Sequence, residues 1–177
     1  MLNLHLPIRI GLQLIHGLFC HANEIGELYI AGKHVFTKYW NNEIESSQTL
    51  VNGWLKTGDL AKRDEDGDYF IVGRKKETII SGGENVYPQE VERCLLLHPN
   101  IREAAVIGVE DVRWGECITT FITCKEPKDF DKTEIISHCK KSLGSFKVPK
   151  KIIMLAELPR TQIGKIDKKR LVQLAVE

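Results

Sequence analysis

The spacing of apolar and polar positions divides the chain into a β-rich first part and a mixed second part. Ile25 to Tyr39 carries apolar residues at Leu28, Ile30, Val35 and Phe36 around Gly32, which predicts two short strands joined by a turn. Asn41 to Val51 is polar and predicts a loop. Trp54 to Lys62 and Tyr69 to Gly73 predict strands on either side of Asp64-Glu65-Asp66-Gly67, a turn in which Gly67 takes a positive φ at no steric cost. A meander of this kind has open edges, so it is expected to pack against further protein.

The period changes after Gly73. Thr78 to Ile80 is a short β-prone run that ends in a Gly82-Gly83 turn. Pro88 suits the first turn of a helix, and Val91, Cys94, Leu95 and His98 recur at helical spacing before Pro99 and Asn100 stop it. Ala104 to Val109 and Cys117 to Cys124 predict strands separated by a polar loop, Glu110 to Glu116. Asp131 with Glu134 opens a second helix, which has Ile135, Ile136, Cys139 and Leu143 on one face and Gly144 as its stop. Ile152 to Leu155 predicts a last strand, and Asp167 caps a last helix through Leu171 and Leu174. The fold class is therefore α+β: a β-rich N-terminal segment followed by a small α+β domain with a short sheet flanked by helices.

Composition narrows the function. The 177 residues hold 25 Lys and Arg against 24 Asp and Glu, so no charge excess marks a nucleic-acid partner. The five cysteines are odd in number and include no Cys-x-x-Cys pair, which fits reduced thiols and a cytoplasmic location. The six histidines show no metal-ligand spacing, and no metal site is expected. Met1 to Ala22 is apolar but interrupted by Pro7, Arg9 and His16. It reads as a β-rich or partly buried lead-in, not as a membrane span or signal peptide.

Three ordered stretches carry a resemblance: GWLKTGDLAKRDEDGDYFIVGR from Gly53 to Arg74, GRKKETIISGGENVYPQEVE from Gly73 to Glu92, and LPRTQIGKIDKKRL from Leu158 to Leu171. Together they resemble the AMP-forming acyl-CoA synthetases of the adenylate-forming superfamily, and the SGGENVYPQEVE string looks like its CoA ligases, most of all the fatty-acid and the aryl or succinylbenzoate ligases. The resemblance implies three parts: residues 1–23 as an unassigned lead-in, 24–74 as the end of the N-terminal domain within a β-barrel-like subdomain, and 75–177 as the mobile C-terminal domain. The family's phosphate-gripping loop and acyl pocket have no counterpart in this sequence. The chain is thus expected to need an N-terminal synthetase domain as its partner and to be inactive by itself.

The same resemblance assigns residues. Asp59 matches the aspartate that holds the ATP ribose hydroxyls, although by itself it reads first as an ordinary turn aspartate; a carboxylate on a strand suits a vicinal diol. Arg74 matches the arginine that contacts the same nucleotide region, and a surface ion pair is the plain alternative. Lys76 takes the hinge position, where many relatives have aspartate. Gly82, Gly83 and Glu84 match the loop that lines the path of the CoA thiol, where a missing Cβ permits close approach; a simple hairpin turn would also explain the glycines. Lys165 matches the catalytic lysine, a point charge for the α-phosphate, although composition alone reads it as one of a solvated basic cluster with Lys168, Lys169 and Arg170. Lys168 and Lys169 are further candidates for CoA phosphates. ATP or AMP, CoA and Mg2+ are the implied cofactors, the metal held mainly by the N-terminal domain, and a carboxylic acid is the substrate. Three other readings stay open: an incomplete remnant, a binding or regulatory module, and a ligase with an acceptor other than CoA.

Overall fold

Residues 8–14 and 19–176 are described by the computed structural model. The chain separates into two units that meet in sequence after Lys76: Met1–Lys76 and Glu77–Glu177.

The first unit is built on one long strand. Its elements are β1 (Arg9–Gln13), β2 (Ile25–Ala31), α1 (Glu43–Thr49), β3 (Leu50–Val51), β4 (Trp54–Arg63) and β5 (Tyr69–Arg74). β4 pairs with β2 along one edge, while β3 and β5 share the other; β1 pairs with β2, and every pairing is antiparallel. The core is small, with Leu12, Leu28 and Ala61 packed against Ile30 and Tyr69. The Asp64 to Gly67 turn forms as expected, with Gly67 at φ 95°.

Two expectations fail here. No second strand forms after Gly32: residues 33–39 are a turn and irregular chain in which Val35 N–H donates to Gly32 O, and the Phe36 ring meets that of Tyr39 at a tilt of 55°. Apolar side chains alone do not make a strand when no sheet edge lies beside them. The polar stretch expected as a loop holds α1, whose N-cap Asn42 accepts from Glu45 N–H at 3.1 Å. None of its residues is buried, so no apolar stripe announced it. Of the lead-in, residues 1–7 and 15–18, which include Pro7 and His16, lie outside the described residues. Arg9–Gln13 becomes a sheet strand on β2 with Leu12 buried.

The second unit comprises β6 (Ile79–Ser81), β7 (Glu84–Val86), α2 (Pro88–Leu96), β8 (Ile101–Asp111), β9 (Gly115–Cys124), α3 (Lys132–Ser142), β10 (Lys151–Met154) and α4 (Lys168–Val176). β8 runs antiparallel along one edge of β9. The other edge takes β10 in parallel at Thr119 to Ile122 and β6 at Gly115. Ile118 and Ile122 pack with Val91 and Leu95 of α2 and with Ile135 and Cys139 of α3. Phe121 points the other way, into a cluster with Leu158 and with Leu171 and Ala175 of α4. Asp131 caps α3 through Thr133 N–H and Glu134 N–H, and Asp167 caps α4 through Arg170 N–H. The expected polar loop from Glu110 to Glu116 shrinks to the turn at residues 112–114, because Glu110 and Glu116 pair across the hairpin. α3 ends on an extended Leu143, not on a left-handed glycine; Gly144 has φ −57°.

The α+β class holds. No described helix is long and apolar enough to cross a membrane. All five cysteines are free, and Cys94, Cys124 and Cys139 are buried. Burial first, then the Cys94 thiol beside it, pushes the Cys139 thiol from its ordinary 9.0 up to about 12. A thiol held protonated in the folded state makes the unfolded chain the stronger acid, so its contribution to stability is complete below the unfolded value and is lost as pH rises toward the folded one. Denaturant unfolding should show stability falling as pH rises from about 9 toward about 12, with a shallower fall in Cys139→Val.

Candidate functional site

The first unit gathers Asp59 and Arg74 by register. They are direct partners on β4 and β5, and Arg74 Nε donates to Asp59 Oδ1 at 2.9 Å. The guanidinium also donates to Thr57 O at 3.0 Å, a carbonyl in the gap between the β3 and β5 pairings. Thr57 Oγ1 donates to Leu28 O at 2.8 Å and accepts from Asp59 N–H at 3.0 Å. Arg74 is thus fixed at both ends of its fork. One ion pair leaves a carboxylate with unused lone pairs, so Asp59 keeps capacity to accept from a diol. Thr57, Gly58, Arg74 and Lys76 line a cleft of about 690 Å³ with Glu27 and Tyr39; Asp59, bonded to Arg74, is not among the residues that line it.

Lys76 lies in a single 3₁₀ turn, Lys75–Glu77. Its neighbours are held in opposite senses. Lys75 Nζ pairs with Glu27 Oε2 of the first unit at 2.7 Å, and Glu77 Oε2 pairs with Lys168 Nζ of the second at 2.7 Å. The Lys76 side chain is exposed and has no partner among the described residues.

In the second unit Gly82 and Gly83 make the turn of the β6–β7 hairpin, and Glu84 pairs with Ser81 across it. Both glycines have positive φ, 62° and 84°, as a tight two-residue hairpin requires. Gly82 N–H donates to Trp114 O at 2.8 Å, and the Trp114 ring lies where a Gly82 Cβ would meet it at 3.4 Å. Lys150 Nζ and the Arg113 guanidinium lie 4.9 and 5.0 Å from the centre of that ring. This aromatic and cationic surface beside the glycine turn was not expected from the sequence, where Trp114 sits in a stretch read as a polar loop. A lone tryptophan in such a stretch is the signal that could have found it.

Lys165 is exposed on a loop between Arg160 and Ile166, which pair as an isolated bridge. Thr161 N–H donates to Lys165 O at 2.7 Å and Gly164 N–H to Thr161 O at 2.9 Å. The Lys165 ammonium has no partner among the described residues, whereas Lys168 is committed to Glu77 and to Glu92 at 3.5 Å. Lys169 stays exposed. Among the described residues, no group of three or more His, Cys, Asp or Glu is placed to hold a metal ion.

The structure therefore brings Asp59 and Arg74 together and places Gly82, Gly83 and Glu84 in one turn, but it keeps that turn apart from Lys165. Arg160, at the foot of the Lys165 loop, is bonded to Glu103 near the start of β8, and the glycine turn is bonded to Trp114 at the other end of the β8–β9 hairpin. Along a strand, the eight residue steps from Glu103 to Asp111, which pairs with Gly115 beside Trp114, span about 26 Å.

Residues 90–165 match the model of the AMP-binding enzyme C-terminal domain. The chain is 40% identical over 149 residues to an indoleacetate–CoA ligase of Aromatoleum aromaticum, covering 84% of this chain and 29% of that protein. It is 40% identical over 161 residues to a 2-succinylbenzoate–CoA ligase of Bacillus cereus, covering 91% and 33%. Among solved structures, o-succinylbenzoate CoA synthetase from Bacillus subtilis in complex with its acyl-adenylate intermediate superposes with a TM-score of 0.87 at 37% identity, covering 93% of this chain and 33% of that one. The chain spans about a third of the length of the curated relatives it matches.

The glycine turn gives a direct test of local geometry. Gly83 has open space around its missing Cβ, so Gly83→Ala should cost only the conformational strain of a positive φ, about 1 kcal/mol in denaturant unfolding. Gly82→Ala should cost no more than that, because its Cβ would meet the Trp114 ring only at ordinary van der Waals distance, 3.4 Å.

Proposed function

Because the chain belongs to the AMP-forming acyl-CoA synthetases and corresponds to their C-terminal portion, we propose that it serves a two-step activation of a carboxylic acid. In the first step a carboxylate oxygen attacks the α-phosphorus of ATP, the bond to the bridging oxygen breaks, and pyrophosphate leaves. In the second the sulfur of CoA attacks the acyl carbon, its proton passes to solvent, and AMP leaves with the electron pair of the broken C–O bond. Residues 24–74 are assigned to the end of the N-terminal domain and 75–177 to the mobile one. The rest of the synthetase supplies the acyl pocket, the phosphate loop and the ligands of the metal ion that accompanies ATP. Free and mostly buried thiols suit a cytoplasmic location.

The observation that carries this reading is the separation of two functional loops within one unit. A lysine without a partner, on a loop shaped by its own backbone, is suited to meet negative charge that grows on the α-phosphate oxygens during adenylation. A glycine turn beside an aromatic ring and two cations suits the approach of a thiol on a long phosphate-bearing arm. With their anchors about 26 Å apart, both loops cannot serve one reacting centre at once, so the unit must present them in turn. Lys76 is the residue proposed to turn, because its neighbours are ion-paired within their own units. Asp59 and Arg74 hold the nucleoside, the carboxylate accepting from the ribose hydroxyls and the guanidinium facing the cleft.

Mixing this chain with a separately expressed N-terminal domain of a related CoA ligase tests the proposal. Carboxylate-dependent pyrophosphate release should appear on mixing and fall about a hundredfold in Lys165→Ala, while consumption of supplied acyl-adenylate by CoA continues. Asp59→Ala should raise the KM for ATP. Lys165→Ala with undiminished pyrophosphate release would sink the assignment, and a folded chain that never complements would favour a binding module derived from the family.

A further inference from the structure

Two carboxylates stand at opposite ends of the β8–β9 hairpin, and the two-step reading gives neither a role. Glu103, near the start of β8, forms an ion pair with Arg160 Nη2. Arg160 Nη1 donates to Gly164 O at 3.0 Å, the carbonyl of the residue before Lys165. One guanidinium thus ties the Lys165 loop to the sheet. The loop is otherwise exposed from Arg160 to Lys165, and its remaining described bonds are internal or to its own stem: Thr161 N–H to Lys165 O, Gly164 N–H to Thr161 O and Asp167 N–H to Pro159 O.

At the other end, β6 joins β9 through the single pair Ser81 and Gly115. The next amide along β6, Ile80 N–H, donates to Glu116 Oε2 at 2.6 Å, so a side chain replaces the ladder bond that β9 no longer supplies. Room for that carboxylate exists because residue 108 is glycine. A Cβ there would lie 2.5 Å from Glu116 Oε1 and 2.9 Å from Cδ. Glu116 is therefore laid across β8 in a cradle that any larger residue would fill.

We infer that the Glu103–Arg160 pair and Glu116 are positioning residues, each for one half-reaction: the first aims Lys165 for adenylation, and the second holds the glycine hairpin for thioester formation. The inference rests on the two-step reading. A cation must sit within about an ångström of its working place to stabilise a developing charge, and displacement on that scale costs about a hundredfold in rate. A loop held to a sheet by one guanidinium loses that accuracy when the guanidinium goes, although the buried core beneath it stays intact.

The 177-residue chain itself provides the first measurement, amide hydrogen exchange. Arg160→Ala should speed exchange at Thr161 and Gly164 at least tenfold and leave Ile80 and Gly82 unchanged; Glu116→Ala and Gly108→Ala should do the reverse. Glu116→Gln, which keeps an acceptor oxygen, should restore protection at Ile80. In the complemented enzyme, Arg160→Ala should slow pyrophosphate release ten- to a hundredfold without slowing CoA-dependent consumption of supplied acyl-adenylate, and Glu116→Ala should show the opposite split. Unchanged exchange in both alanine variants overturns the inference, as does an equal loss of both half-reactions in either one. If exchange separates the loops and Lys165→Ala leaves adenylation intact, the two-step reading fails, taking the half-reaction assignment with it.

Discussion

β9 has to be buried on both faces, and the second unit is arranged to meet that requirement. Its inner residues are apolar or β-branched in nearly unbroken sequence, with Ile118, Thr119, Thr120, Phe121, Ile122 and Thr123 all inaccessible. A strand of this kind has no solvent side, so helices must cover it twice. α2 and α3 take the face of Ile118 and Ile122, and α4 takes the face of Phe121. β8 completes one edge over its whole length. The product is a stiff bar whose two ends emerge from the core at different places, and the exposed loops inherit their spacing from it.

Function in this reading comes from contrasts between committed and uncommitted charge. Arg74 is bonded at both ends of its fork, and Lys168 lies between two carboxylates; each is a structural cation with a fixed address. Lys165 and Lys76 are the opposite, solvated and unpaired among the described residues. Exposed ammonium groups keep their hydration until a ligand or another surface replaces it, so they contribute little to folding and are available for a transition state or a moving joint.

Much of the second unit was legible because its signals are local. Pro88 with a helical row of apolar residues, Asp131 and Asp167 as caps, and a pair of glycines at a turn each act within a few residues. The misses are the elements whose cause lies elsewhere in the chain. α1 rests on an asparagine cap and no apolar stripe. The stretch after Gly32 has the composition of a strand but no edge to join, and the hairpin extends through Glu110 and Glu116 because each strand gives the other its register. At the site, Asp59 and Arg74 were named separately, but their pairing depends on strand register, as the contacts of Trp114 with the glycine turn depend on the meeting of β6 and β9.

The ion pairs on either side of Lys76 reduce a problem of shape to a count of degrees of freedom. A long linker would let two bodies wander through a large volume and lose that entropy at each productive arrangement. In the proposed hinge, the ion pairs of Lys75 with Glu27 and of Glu77 with Lys168 would anchor the neighbours of Lys76, and its pair of soft torsions would carry most of the turn. A joint of that kind would act as an axle and not as a tether, limiting the accessible orientations to a narrow path and keeping small the ordering cost of reaching either end.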